Sequence, residues 1–176
     1  MLRAVIAVVG GTLLVAIVGA SAGAAALGPS LPAPPAAVAD IPPAYLVLYQ
    51  EAGQRFAVPW QVLAAIGRVE SDHGRNPNAY RPNYAGAVGP MQFLPATFAE
   101  YPWAGDDPDP NILDPHDSIF AAAAMLAHDG VQSDVRRAIF AYNHAGWYVD
   151  EVLQIAAAYG WPGPGTPSSR VADAGA

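Results

Sequence analysis

Residues Val58 to Gly74, VPWQVLAAIGRVESDHG, are the stretch that decides the fold. Apolar and small residues recur at spacings of three and four from Trp60 onward, which predicts an amphipathic helix that begins at Pro59. This helix would carry Glu70 inward on its apolar stripe. Because burial disfavours the charged form of a carboxyl group, we expect a raised pKa and an acid that can donate a proton near neutral pH.

A purely structural explanation of Glu70 competes with this one. Glu is almost never fully buried without a partner, so the carboxylate could instead end the helix in solvent. It could also pair with Arg68 or Arg75, which flank it in the sequence. The residues of this helix leave both interpretations open.

Composition limits the class of protein. The chain of 176 residues is long enough for one domain with accessory segments and a substantial core. Its 8 basic residues are all Arg, and with 15 Asp and Glu they give a net charge of -7. This balance argues against nucleic acid and against an anionic membrane surface as partners. The absence of Cys excludes disulfides, thiolate metal sites and a cysteine nucleophile.

The first 27 residues predict export from the cytoplasm. An apolar run follows Arg3 and ends in small residues with A-x-A sites at Ala20–Ala22 and Ala22–Ala24, as in a signal peptide. The run is also long enough to remain as an uncleaved signal anchor, so both alternatives stay open. In either case we expect a secreted or cell-envelope protein whose only membrane contact is this segment.

The rest of the chain divides by composition into three parts. The Pro/Ala-rich residues 28–40 are interpreted as a linker, residues 41–161 as the folded domain, and residues 162–176 as a disordered tail.

The domain has the pattern of an all-α fold. Residues 71–91 contain too many Gly and Pro for an interior element, so we expect a long loop there, which in a compact domain is usually functional. Helices are predicted to begin near Pro43, Pro59, Pro95, Pro115, Ser133 or Asp134, and Trp147.

Neither a metal nor a cofactor is expected. Asp107, Asp109 and Asn111 have the alternating spacing of a calcium loop, but Ile112 stands where the turn glycine is required. The four His residues show no zinc-ligand spacing. We therefore interpret the acidic segment as a solvated surface.

Three short stretches carry a resemblance to known enzymes. They are Glu70-Ser71 at the helix end, the segment GAVGPMQF at Gly86 to Phe93, and Ala-Tyr-Asn at Ala141 to Asn143. In this order they resemble the soluble lytic transglycosylase and goose-type lysozyme families. The resemblance covers about Pro43 to Tyr159 and implies a lysozyme-like helical domain with a substrate groove.

The resemblance implies roles for the first two matched residues. Glu70 would be the catalytic residue, acting first as general acid and then as base. Ser71 would help to shape the sugar pocket, or its hydroxyl would simply bond a free carbonyl at the helix end.

Four further residues match substrate-binding positions of these families. Met91 would line the apolar side of the sugar, although plain core packing explains it equally well. Gln92 would hydrogen-bond the substrate. The Tyr142 hydroxyl would meet the catalytic Glu, and Asn143 would hold that geometry.

The sequence departs from the family pattern at two places. His144 follows Asn143 before the expected Ala-Gly, and Pro90 stands where Leu is commoner. These changes affect the substrate contacts and not the acid. The aromatic residues Tyr80, Tyr84, Trp103 and Trp147 are candidates for stacking on sugar rings or for core positions.

The function implied by the resemblance is that of a peptidoglycan lytic transglycosylase. It would cleave the MurNAc-GlcNAc β-1,4 bond and form 1,6-anhydroMurNAc with Glu70 alone, because the N-acetyl group assists and the 6-hydroxyl attacks. A hydrolytic muramidase and a non-catalytic wall-binding or assembly module are the alternatives. Peptidoglycan glycan strands are the expected partner, and a monomer is the expected state.

Overall fold

The computed structural model describes residues 35–101 and 109–164. In these residues the chain is helical and has no β-strand, apart from an isolated bridge between Val88 and Phe93, so the all-α prediction is confirmed. The α-helices are α1 (Pro43–Phe56), α2 (Trp60–Ser71), α3 (Pro95–Glu100), α4 (Pro115–His128), α5 (Val135–Tyr142) and α6 (Gly146–Ala158).

The predicted export segment at residues 1–27 and all but the first residues of the predicted tail lie outside the described residues. Within the two described ranges, no helix is both long and apolar enough to cross a membrane.

The helix starts follow from proline and from acidic caps. Pro43, Pro95 and Pro115 occupy the first helical turn, where the missing N–H costs nothing. At the start of α4, an Asp114 carboxylate oxygen accepts hydrogen bonds from two backbone N–H groups. The cap of α5 is Asp134, whose side chain accepts from the Arg137 N–H at 3.0 Å. These starts agree with the sequence prediction.

Helix α2 lies at the centre of the domain and packs against α1, α4 and α6. All residues from Val62 to Gly67 are buried, so the middle of this helix has no solvent-facing side. The prediction of a single inward stripe is wrong there, because neighbouring helices cover α2 on several faces. The solvent boundary falls only in its last turns, where Glu70 is half-buried.

Gly67 sets the distance between α1 and α2. A Cβ atom at this position would lie 2.0 Å from the Tyr49 hydroxyl oxygen of α1, so only glycine fits. Glycine costs a helix interior about 1 kcal/mol relative to alanine. The missing side chain at Gly67 leaves room for the buried Tyr49 hydroxyl to pack against α2 near its C-terminal end.

The N-terminal boundary of the domain lies earlier than the sequence predicts. Residues Ala36–Asp40 form a 3-10 helix, and both Val38 and Ile41 are buried in the core. Asp40 forms ion pairs with Arg68 and Arg75. We call residues 36–41 the strap. Interpreting residues 36–40 as linker is therefore wrong, because two apolar side chains three residues apart anchor this Ala-rich segment.

We expect Ile41→Ala to lower the free energy of unfolding by about 2 to 4 kcal/mol, because it leaves a cavity at a position that is only 3% exposed. Val47→Ala is the control, since Val47 is 51% exposed and its truncation should change the same quantity by less than about 0.5 kcal/mol. Urea unfolding of the full-length variants measures both. Equal stability of the two variants would show that the strap is not part of the folded unit.

Candidate active site

The site lies where the end of α2 meets the loop of residues 86–93. Ser71 joins the two: its hydroxyl donates to the Pro90 carbonyl at 2.6 Å and accepts from the Gly74 N–H at 2.7 Å. Ser71 is only 1% exposed. Its hydroxyl therefore shapes the site by holding the loop, and it offers no surface for direct contact with a sugar.

The chain reverses direction sharply after Ser71. Asp72, His73 and Gly74 all have positive φ angles, of 54°, 54° and 74°. Gly74 accepts this conformation without strain, whereas Asp72 and His73 need compensating contacts. This reversal ends α2 directly after Glu70 and keeps its carboxyl at the edge of the core.

The compensating contacts of His73 come from two tyrosines. Its Nδ1 lies 3.1 Å from the Tyr49 hydroxyl of α1, and its Nε2 lies 3.1 Å from the Tyr159 hydroxyl after α6. Burial, and then the nearby Arg75 and Arg68 charges, lower the pKa of His73 to about 4. The ring is therefore neutral at physiological pH and ties the end of α2 to both neighbouring helices.

Glu70 has the properties of a proton donor. Its carboxyl group is largely removed from water, and this burial raises its pKa from 4.5 to about 7. The Tyr148 hydroxyl of α6 donates to Glu70 Oε1 at 2.6 Å, which lowers the pKa and so opposes part of the effect of burial. Near neutral pH, both the protonated and the ionised form are populated, as general acid and base catalysis requires.

The structural alternative for Glu70 does not hold in the described residues. Arg68 and Arg75, its two proposed partners, form their ion pairs with Asp40 and Asp72. Within residues 35–101 and 109–164, no ion pair involves Glu70 and no charged group contributes to its pKa shift. A half-buried carboxyl without a cation is costly to ionise, so its position is better explained by chemistry than by stability.

The tyrosine that contacts Glu70 differs from the one implied by the resemblance. The Tyr142 hydroxyl donates to the Met91 carbonyl at 2.7 Å, and its ring packs edge-on against Phe93. Tyr148, six residues further on, makes the bond to Glu70. Burial raises the pKa of Tyr142, and the Glu70 charge raises it further. Tyr142 is therefore still close to the site. Nothing in the sequence marks Tyr148, since its helical pattern is that of a core residue.

The remaining substrate-binding candidates divide by exposure. Met91 is fully buried, so core packing explains it and a wall under the sugar does not. Gln92 is half-buried with φ 48°, and its amide donates to the Ala79 and Gly89 carbonyls, each at 2.9 Å. Asn143 is half-buried, and its side-chain amide makes no hydrogen bond within the described residues. Substrate contact through Gln92, Tyr142 and Asn143 stays a prediction.

The aromatic candidates lie at the surface where the structure describes them. Tyr80, Tyr84 and Trp147 are exposed, and Trp147 precedes Tyr148 in the first turn of α6. Trp103 is outside the described residues.

One group of acidic and His side chains has the geometry of a potential metal site. Asp114, His116 and Asp117 bring ligand atoms within 4.8 Å of one another at the start of α4. Their oxygens already accept hydrogen bonds from the helix N-terminus and from the Asn111 N–H. Helix capping explains this group without an ion. Asp107, the first residue of the segment with calcium-loop spacing, lies outside the described residues.

Comparison with known proteins identifies the family of this domain. A family model described as the transglycosylase SLT domain matches residues 47–159, a segment that contains Glu70, the loop of residues 86–93 and both site tyrosines. No curated protein and no solved structure matches the chain.

The pKa of Glu70 makes the stability of the protein depend on pH. The folded state holds the Glu70 proton more tightly than the unfolded chain, so this contribution is complete below about pH 4.5 and is lost as the pH rises through about 7. Gln has no proton to lose and still accepts a bond from Tyr148. We therefore expect Glu70→Gln to be more stable than the wild type at pH 8, by about 2 kcal/mol, and the difference to disappear near pH 4.

Denaturant unfolding at the two pH values measures this difference. Glu51→Gln, at an exposed position of α1, is the matched control and should show no such dependence. A Glu70→Gln effect of equal size at both pH values would contradict a raised Glu70 pKa.

The hydrogen bond from Tyr148 leads to a separate prediction about the pKa of Glu70. Tyr148→Phe removes a donor that stabilises the carboxylate, so the pKa of Glu70 should rise further. Tyr142→Phe removes a hydroxyl that bonds the Met91 carbonyl, and the Glu70 pKa should change much less. Carbon-13 NMR titration of the Glu side chains measures both values. The reverse ranking of the two variants would restore Tyr142 as the partner of Glu70.

Proposed function

Because the chain belongs to the transglycosylase SLT domain family, we propose that it is a peptidoglycan lytic transglycosylase with Glu70 as its catalytic residue. The substrate would be the glycan strand, cleaved at the β-1,4 bond between MurNAc and GlcNAc. The product would carry 1,6-anhydroMurNAc at the new end.

The single observation that carries this proposal is the state of Glu70. Its carboxyl has a pKa of about 7 and accepts a hydrogen bond from Tyr148 at 2.6 Å. Protonated Glu70 would donate its proton to the leaving GlcNAc oxygen as the glycosidic bond breaks. The tyrosine would hold Oε1, which leaves Oε2 to face the bond that is cleaved.

The second half of the reaction would use the same carboxyl as a base. Positive charge on the MurNAc ring is relieved by its N-acetyl group, and the 6-hydroxyl of the same sugar then attacks the anomeric carbon. Ionised Glu70 would take the proton of this hydroxyl and return to its starting state. No water is consumed, so the proton and the bonds balance within the strand.

A transglycosylase is favoured over a hydrolytic muramidase by the family, because the matching model describes a transglycosylase domain. Inverting hydrolysis uses a second carboxylate that activates water. Among the described residues, no other carboxylate contributes to the pKa shift of Glu70. A non-catalytic wall-binding module remains the alternative from another class, but it has no use for an acid that is costly to bury.

The cellular setting follows from the substrate. Peptidoglycan lies outside the cytoplasmic membrane, so we propose that the apolar segment of residues 1–27 directs export. The protein would then act in the envelope, either released or retained by that segment, and as a monomer.

Mass analysis of the products tests the proposed reaction. Purified peptidoglycan incubated with the protein should yield muropeptides with anhydro ends, one water lighter than hydrolysis products. Glu70→Gln should reduce their rate of formation by about 10²- to 10⁴-fold, the range for loss of a general acid, whereas Glu51→Gln should not. Reducing ends that incorporate oxygen from labelled water would establish a muramidase. If the folded wild type cleaved no strands, the non-catalytic wall-binding module would be the better explanation.

A further inference from the structure

Arg81 differs from every other described arginine in having no partner. It is exposed and makes no ion pair or side-chain hydrogen bond within residues 35–101 and 109–164. The other arginines of these ranges are engaged: Arg68 and Arg75 with Asp40 and Asp72, Arg136 with Asp150, Arg137 with the Asp129 carbonyl, and Arg55 over the Phe56 ring. In a chain with a net charge of -7, this guanidinium is a positive group that is available to an anionic ligand.

Arg81 also has a fixed position beside the candidate site. The Ala79 carbonyl, two residues before it, accepts a hydrogen bond from the Gln92 amide at 2.9 Å. The Asn83 side chain, two residues after it, lies 3.4 Å from the Gln92 side-chain oxygen. Gln92 therefore contacts the chain on both sides of Arg81, and Gln92 follows the Met91 carbonyl that binds Tyr142. This places the Arg81 backbone at the rim of the site.

The loop around Arg81 is ordered by its own hydrogen bonds. The Asn83 side chain accepts from the N–H groups of Ala85 and Ala87, at 2.8 and 3.1 Å. The next residue, Tyr84, is nonetheless fully exposed, with a relative exposure of 104%. A fully exposed aromatic side chain three residues after an unpaired arginine contributes nothing to the core, and Tyr and Arg are enriched in binding surfaces.

On this basis, and resting on the proposed function, we infer that Arg81 binds a carboxylate of the peptide stem that peptidoglycan strands carry. The stem is attached to MurNAc, the sugar whose bond Glu70 would cleave, so a stem carboxylate would lie close to a residue at the rim of the site. Arg is suited to this role because its planar guanidinium can bond both oxygens of a carboxylate. Tyr84 would cover the apolar part of the same stem.

The test uses the Glu70→Gln full-length protein, which should bind strands without cutting them. Two probes are compared: soluble stem-bearing glycan strands with free carboxylates, and the same strands after carbodiimide coupling to methylamine. The Glu70→Gln protein, the parent of the further variants, should bind the free strands about three- to tenfold more tightly than the coupled strands. This is the range for a charge-assisted but partly exposed pair. Adding Arg81→Gln should abolish this preference, and Arg81→Lys should keep part of it.

Arg136→Gln is the matched control, because Arg136 is also exposed but lies on α5 and pairs with Asp150. It should keep the full preference. Equal affinity of the parent for the two strands, or a preference that survives Arg81→Gln, would overturn the inference while leaving the proposed function intact. If the parent bound neither strand, the proposed function would fail and this inference with it.

Discussion

Burial of the Glu70 carboxyl at the end of α2 is the constraint on which the site depends. A carboxylate there loses hydration and gains no cation in the described residues, so the protein bears a cost that grows as the pH rises. The cost is tolerated because the helix before Glu70 is packed by α1, α4 and α6. A helix so firmly held can carry one unfavourable residue at its end without losing its position.

The residues that follow Glu70 fix the end of α2, because the Ser71 and His73 side chains each make two hydrogen bonds to other parts of the chain. Ser71 both donates to the loop and accepts from the reversed chain, and His73 bonds a tyrosine through each ring nitrogen. These contacts also offset the strain of the positive φ angles. As a result, the loop that carries Gln92 and the acid that would act on the substrate are parts of one rigid unit.

The strap adds a further contact to the end of α2. Asp40 bonds Arg68 and Arg75, so both basic neighbours of Glu70 are directed away from its carboxyl. Exposed ion pairs of this kind contribute little to stability by themselves. Their main effect is electrostatic, because an arginine beside Glu70 would lower its pKa and remove the proton that general acid catalysis needs. A segment that resembles a linker in composition thus supplies an ion-pair partner to both basic neighbours of Glu70.

The sequence by itself determined the helices, their caps and the choice of Glu70 as the candidate acid. These depend on local rules: the spacing of apolar residues, Pro in the first turn, Asp before it, and a Glu at the end of a helix whose middle residues are all apolar or small. Only the tertiary structure decided which tyrosine bonds Glu70, that Ser71 and Met91 are buried, and that residues 36–40 are folded. Each of these depends on how one helix lies against another. The sequence favours Tyr142 through the resemblance and does not mark Tyr148, but the packing of α6 against α2 brings the Tyr148 hydroxyl within hydrogen-bond distance of Glu70.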